Sequence, residues 1–95
     1  MEVTLSESAL ADLEEIVTYY EEREVPEVGR RLVSEILDHL EQLSAHPGSG
    51  RVVPEFDMPA LRELIHPPFR IVYRRQAKKV QVVRVWRSER LLKLE

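Results

Sequence analysis

Arg62, Arg70, Arg74, Arg84, Arg87 and Arg90 form the densest set of chemistry-bearing side chains in this chain. A guanidinium presents five donors in a flat fork that fits phosphate or carboxylate oxygens, so the set reads as a phosphate clamp or as a dock for an acidic partner. Glu63 stands beside Arg62 as a candidate base, and His66 is a candidate proton-transfer group. His66 precedes two prolines at a turn, where a solvated loop role is the plainer reading. His39 and His46 have no carboxylate pattern that would complete a metal site, and Ser44, Ser49 and Ser88 have no evident histidine partner for a nucleophilic triad. The absence of cysteine excludes a disulfide framework, a thiolate metal site and a cysteine nucleophile. No phosphate-binding glycine loop of either common type is present. Arg84, Trp86, Arg87 and Arg90 combine the side chains most enriched in interface hot spots, while Trp86 reads equally well as core.

These residues must be positioned by one small domain, because 95 residues leave room for little else. Hydrophobic residues make up 43% and charged residues 33%, a globular balance, and no apolar run approaches the length of a membrane span. Charge divides along the chain. Residues 1–46 carry three basic against twelve acidic residues, and residues 47–95 carry eleven against five. The basic half suggests an anionic partner; attraction between the two halves is the alternative.

Residues 2–5 alternate as a short strand would, and Ser6 stands where a helix cap belongs. Leu10, Leu13, Ile16, Val17 and Tyr20 recur at helical spacing, which predicts a helix to about Arg23. Pro26 suits the first position of a second helix, whose stripe is Val28, Leu32, Val33, Ile36, Leu40 and Leu43. So short a link makes the pair an antiparallel hairpin. After the Pro47-Gly48-Ser49-Gly50 loop, residues 51–59 read as irregular or edge structure, because Pro54 and Pro59 exclude a central strand. Residues 61–65, 69–75 and 80–87 then read as three strands of an antiparallel meander.

In the middle strand Phe69, Ile71 and Tyr73 share one face, and Arg70, Val72 and Arg74 share the other. Covering the first set with the helices leaves the arginines on an open face. The last strand carries Val82 on one face and Val83 and Val85 on the other, which makes it central. The predicted fold is therefore a single α+β domain over residues 1–95, in the order β-α-α-β-β-β. It has a short N-terminal strand and an antiparallel helical hairpin on one face of a mainly antiparallel sheet.

Four segments in this order resemble the RelE/ParE superfamily of toxins from type II toxin–antitoxin systems. They are Ser8-Ala9-Leu10-Ala11-Asp12-Leu13-Glu14-Glu15-Ile16, Pro47-Gly48-Ser49-Gly50-Arg51-Val52-Val53-Pro54-Glu55, Leu61-Arg62-Glu63-Leu64 with Phe69-Arg70-Ile71-Val72-Tyr73-Arg74, and Val82-Val83-Arg84-Val85-Trp86-Arg87-Ser88-Glu89-Arg90. The resemblance implies a cytoplasmic toxin held in a hetero-oligomer by a cognate antitoxin, with no metal or organic cofactor and no membrane partner. RelE-like members cut messenger RNA on the ribosome, and ParE-like members inhibit DNA gyrase.

Cutting RNA without a metal requires a base, an acid and cations around the phosphate. If this chain were such a nuclease, the resemblance would assign the work to Arg62, Glu63, Arg70, Arg87 and Arg90. The final segment lacks the histidine or tyrosine that several of those nucleases carry there, so the reading leans to ParE and gyrase. Tyr73 falls on the apolar side of its strand and reads as core. For partner binding the expected residues are Arg70, Arg74, Arg84, Trp86, Arg87 and Arg90. A degenerate module that only binds an antitoxin is the remaining alternative.

Overall fold

Ser6 ends the first strand and begins the first helix. In the computed structural model, which describes residues 1–88, β1 (Glu2–Leu5) passes into α1 (Glu7–Glu22) at this residue. The Ser6 hydroxyl accepts the Ala9 N–H at 3.0 Å, satisfying one of the donors left free at a helix start. The same hydroxyl donates to the Val83 carbonyl at 2.9 Å, so the cap also ties the helix to the sheet.

α2 (Pro26–Ala45) begins on the proline, as the sequence predicts. Glu24, at φ 62°, turns the chain between the helices. Gly29 lies where a Cβ would stand 3.2 Å from Tyr20 Cβ and 3.3 Å from the Ile16 carbonyl. The start of α2 thus packs on the later turns of α1, giving the expected antiparallel hairpin.

Four more strands follow: β2 (Arg51–Val52), β3 (Leu61–His66), β4 (Phe69–Arg75) and β5 (Lys79–Arg87). They form a mixed five-stranded sheet in the order β1-β5-β4-β3-β2, in which β1 runs parallel to β5 and the other pairs are antiparallel. The meander and the inner position of β5 agree with the sequence reading. The parallel partner of β1 is new, since four alternating residues do not say what they pair with.

One face of the sheet carries the main core. Phe69, Ile71 and Tyr73 of β4 and Val80, Val82 and Val85 of β5 are buried there against Leu13, Ile16, Ile36 and Leu43 of the helices. Two sequence expectations change. Leu10 is 49% exposed; the buried positions of α1 are Ala9, Asp12, Leu13 and Ile16. Val85 lies with Val82, because a bulge opposite Val72 and Tyr73 inserts Val83 as an extra residue and shifts the alternation.

The opposite face is not open. Val72 and Trp86 are buried there with Leu61 and Val53, and Phe56 packs on them from the segment between β2 and β3. The covering segment closes over the sheet through the Val53 N–H to Leu61 carbonyl bond of 3.2 Å. No helix among the described residues is long and apolar enough to cross a membrane.

Candidate functional site

Arg70 leaves β4 on the face away from the helices, as its place in the strand dictates, but it is only 7% exposed. The expectation that it lies bare is corrected by the two carboxylates that grip it. Its Nε donates to Glu63 Oε1 at 2.7 Å, and its Nη1 and Nη2 donate to Glu55 Oε2 and Oε1 at 2.7 and 2.9 Å. Glu63, wholly buried, also accepts Arg51 Nε at 2.7 Å through Oε2. Two arginines and two glutamates therefore form a closed, charge-balanced chain. The Arg70 bond holds the Glu55 carboxyl below the ordinary carboxylate range, against the opposing pull of desolvation. Its carboxylate partners push Arg70 further from deprotonation, led by Glu55.

A second cluster stands at the far end of β5. β1 pairs only as far as Val82, so among the described residues β5 continues without a strand neighbour on that side. Asp12 of α1 caps this stretch. Its Oδ2 accepts the Val85 N–H at 2.8 Å and Arg84 Nε at 2.8 Å, and its Oδ1 accepts Arg84 Nη2 at 2.9 Å. Arg84 therefore turns across the strand edge to α1, with its Cζ 4.6 Å from the centre of the Trp86 ring. Trp86, 5% exposed, belongs to the second core, which settles its packing in favour of burial.

Arg87 pairs in register with Phe69 and so faces the helices, on the side of the sheet opposite Arg70. Its guanidinium lies 4.6 Å from the Tyr19 ring centre and 5.3 Å from that of Phe69, and it donates to the Tyr20 hydroxyl at 3.3 Å. Between α1 and β5 a narrow groove of about 70 Å³ is lined by Asp12, Ile16, Tyr19, Phe69, Trp86 and Arg87, among others.

Arg74 is exposed, as expected. Arg62 directs its Nε to the Pro59 carbonyl at 3.1 Å and its Nη1 to the Gly50 carbonyl at 3.0 Å. Arg90 lies outside the described residues. The proposed set is thus split among three places: Arg70 and Glu63 under the covering segment, Arg84, Trp86 and Arg87 at the β5 edge, and Arg74 at the hairpin end.

Tyr73 is core, as read from sequence, and its hydroxyl is engaged on both sides. It accepts the Gly50 N–H at 2.9 Å and donates to the Pro47 carbonyl at 3.1 Å. Burial, foremost, raises its pKa above the ordinary tyrosine value. His66 is not a free loop residue. It meets His39 at 3.0 Å through Nδ1 and Glu35 at 3.1 Å through Nε2, on the helix side of the sheet. Among the described residues no three histidine or acidic side chains converge to hold a metal ion.

Sequence reasoning missed Asp12 and Glu55. Asp12 had a readable signal, an acid set between Ala9, Leu13 and Ile16 on the buried stripe of α1. Glu55 had none, since only the fold of the covering segment brings it to Arg70.

Residues 3–92 match the family model described as ParE toxin of type II toxin-antitoxin system, parDE. Among solved structures, the chain is similar to one from the chromosomal ParDE TA system of P. aeruginosa, at 27% identity and a TM-score of 0.79, covering 94% of this chain and 97% of that one. It also shares its fold with the YoeB/ParE toxin from Agrobacterium tumefaciens, at 19% identity and a TM-score of 0.61, covering 92% and 98% of the two chains. None of the curated proteins matches.

Proposed function

The chain belongs to the ParE toxin family of type II toxin–antitoxin systems, and we propose that it inhibits DNA gyrase in the cytoplasm and is neutralised by a ParD-type antitoxin. The observation that carries the choice of target is the closed state of Arg70. A metal-free RNA nuclease needs a cation free to receive phosphate charge and groups free to move protons. Arg70 is saturated by Glu55 and Glu63. The Tyr73 hydroxyl is held between Gly50 and Pro47, and His66 is turned to the helix side. These features favour a toxin that works by binding over one that works by cutting RNA.

The antitoxin is assigned to the groove between α1 and β5. Asp12 already occupies the Val85 N–H, which blunts the strand edge and favours a side chain laid in the groove over an added strand. An apolar anchor between Tyr19 and Phe69, with an acidic neighbour on Arg87, fits that lining.

Inducing the chain in cells with and without its partner gene tests the reading. Growth arrest with loss of plasmid supercoiling, relieved by the antitoxin, is the expected result. Arrest with cut messenger RNA and normal supercoiling would overturn it.

A further inference from the structure

Four cations that the fold leaves without a carboxylate partner stand together at one end of the sheet, apart from the exposed Arg30 and Arg31 on α2. Arg51 and Arg70 are engaged by carboxylates, Arg84 by Asp12, and Arg87 by aromatic rings. Arg74, Arg75, Lys78 and Lys79 are all exposed, and none has a carboxylate partner among the described residues. All four sit on the β4–β5 hairpin, whose turn is closed by the Gln76 N–H to Lys79 carbonyl bond of 2.9 Å. Arg75 runs beside the loop at Gly48, the same loop whose Gly50 carbonyl holds Arg62. Glu2 stands in register with Lys79, and Asp57 lies in the covering segment, but neither forms an ion pair with a hairpin cation.

We propose that this hairpin end contacts the phosphate backbone of double-stranded DNA without regard to base sequence. Residues 74–79 read Arg-Arg-Gln-Ala-Lys-Lys, so Ala77 is their only apolar side chain. A protein interface is anchored by aromatic and arginine side chains packed in desolvated pockets, whereas residues 74–79 hold no aromatic ring and both arginines stand exposed. Phosphates require only matched charge and flexible donors. A two-stranded ribbon also fits the width of the DNA major groove, whereas the major groove of double-stranded RNA is too narrow to admit it. The surface is distinct from the antitoxin groove, and bare DNA suffices as probe, so its failure and that of the gyrase reading are separable.

The test is titration of the full chain into a fluorescent duplex of arbitrary sequence over a series of salt concentrations. Four phosphate contacts predict a slope of log K against log salt of about −3.6, with dissociation constants of roughly 10⁻⁴ to 10⁻⁶ M. Arg74→Gln and Lys78→Gln should each bring the slope about 0.9 closer to zero. Arg30→Gln and Arg31→Gln, exposed on α2, should leave it unchanged. Absence of binding at low salt, or equal losses from the α2 substitutions, would overturn the proposal. So would a polyglutamate peptide that binds as tightly as the duplex, which would reassign the surface to an acidic protein.

Discussion

Asp12 and Arg84, 72 positions apart in sequence, meet in a two-pronged pair in which each carboxylate oxygen accepts one guanidinium N–H, at 2.8 and 2.9 Å. The Val85 N–H adds a third donor to the same carboxylate at 2.8 Å. Asp12 joins the first helix to the last strand just beyond the point where β5 stops pairing with β1. Asp12→Ala would strand a buried N–H and uncouple a half-buried guanidinium. The expected cost is about 2–3 kcal/mol, discounted because Arg84 keeps some contact with solvent. A lowered urea midpoint with an unchanged slope checks it; an unchanged midpoint would show that the clamp adds nothing.

Glu63 and Glu55 hold the same arginine but should respond differently. Glu63 is wholly buried between Arg70 and Arg51, so Glu63→Ala breaks a buried network and should cost about 3–5 kcal/mol. Glu55 is more than a third exposed, and Glu55→Gln should cost under about 1 kcal/mol. The pH dependence has a definite sign. Because its folded pKa is lowered, Glu55 contributes stability above the ordinary carboxylate range and loses it as pH falls through the lowered value. Chemical denaturation across the acid range should therefore show a shallower loss of stability in Glu55→Gln than in the parent.

Gly50 and Tyr73 are matched by shape. A Cβ on Gly50 would stand 2.6 Å from both the Glu63 carbonyl and the Tyr73 hydroxyl. Gly50→Ala should cost about 1–3 kcal/mol through overpacking. Tyr73→Phe should cost a similar amount, because the buried Gly50 N–H loses its acceptor. The raised tyrosine pKa makes its contribution complete below about pH 10, the ordinary value, and lost as pH rises through the folded value. Alkaline denaturation should be less steep in Tyr73→Phe than in the parent.

Arg87 and Arg84 separate binding from folding. Arg87→Glu should weaken the antitoxin complex at least tenfold with little change in melting temperature, since its partners are ring faces and one hydroxyl. Arg84→Glu should lower melting temperature as well, because it sets two carboxylates against each other at Asp12. Calorimetry of both variants with purified antitoxin reads the two effects. Equal affinity of Arg87→Glu and the parent would remove the antitoxin from this groove.

The elements were legible because their signals are local. Ser6 as cap, Pro26 as helix start and the alternation of Phe69, Ile71 and Tyr73 each follow from neighbouring residues. What the sequence concealed depends on distant segments. Arg70 looks like a free cation until Glu55, fifteen positions away, folds over it. Val85 joins Val82 on one face because Val83 is inserted as a bulge, which no periodicity announces. Arg75, Lys78 and Lys79 carried no separate signal within a basic half, since only the engagement of Arg51, Arg70 and Arg84 by carboxylates sets them apart.

The most direct test of the account is supercoiling of relaxed plasmid by purified gyrase in the presence of the purified chain, beside a parallel assay of messenger RNA on translating ribosomes. The account predicts that supercoiling fails, that antitoxin restores it, and that the messenger stays whole. Intact supercoiling together with cut messenger would contradict it.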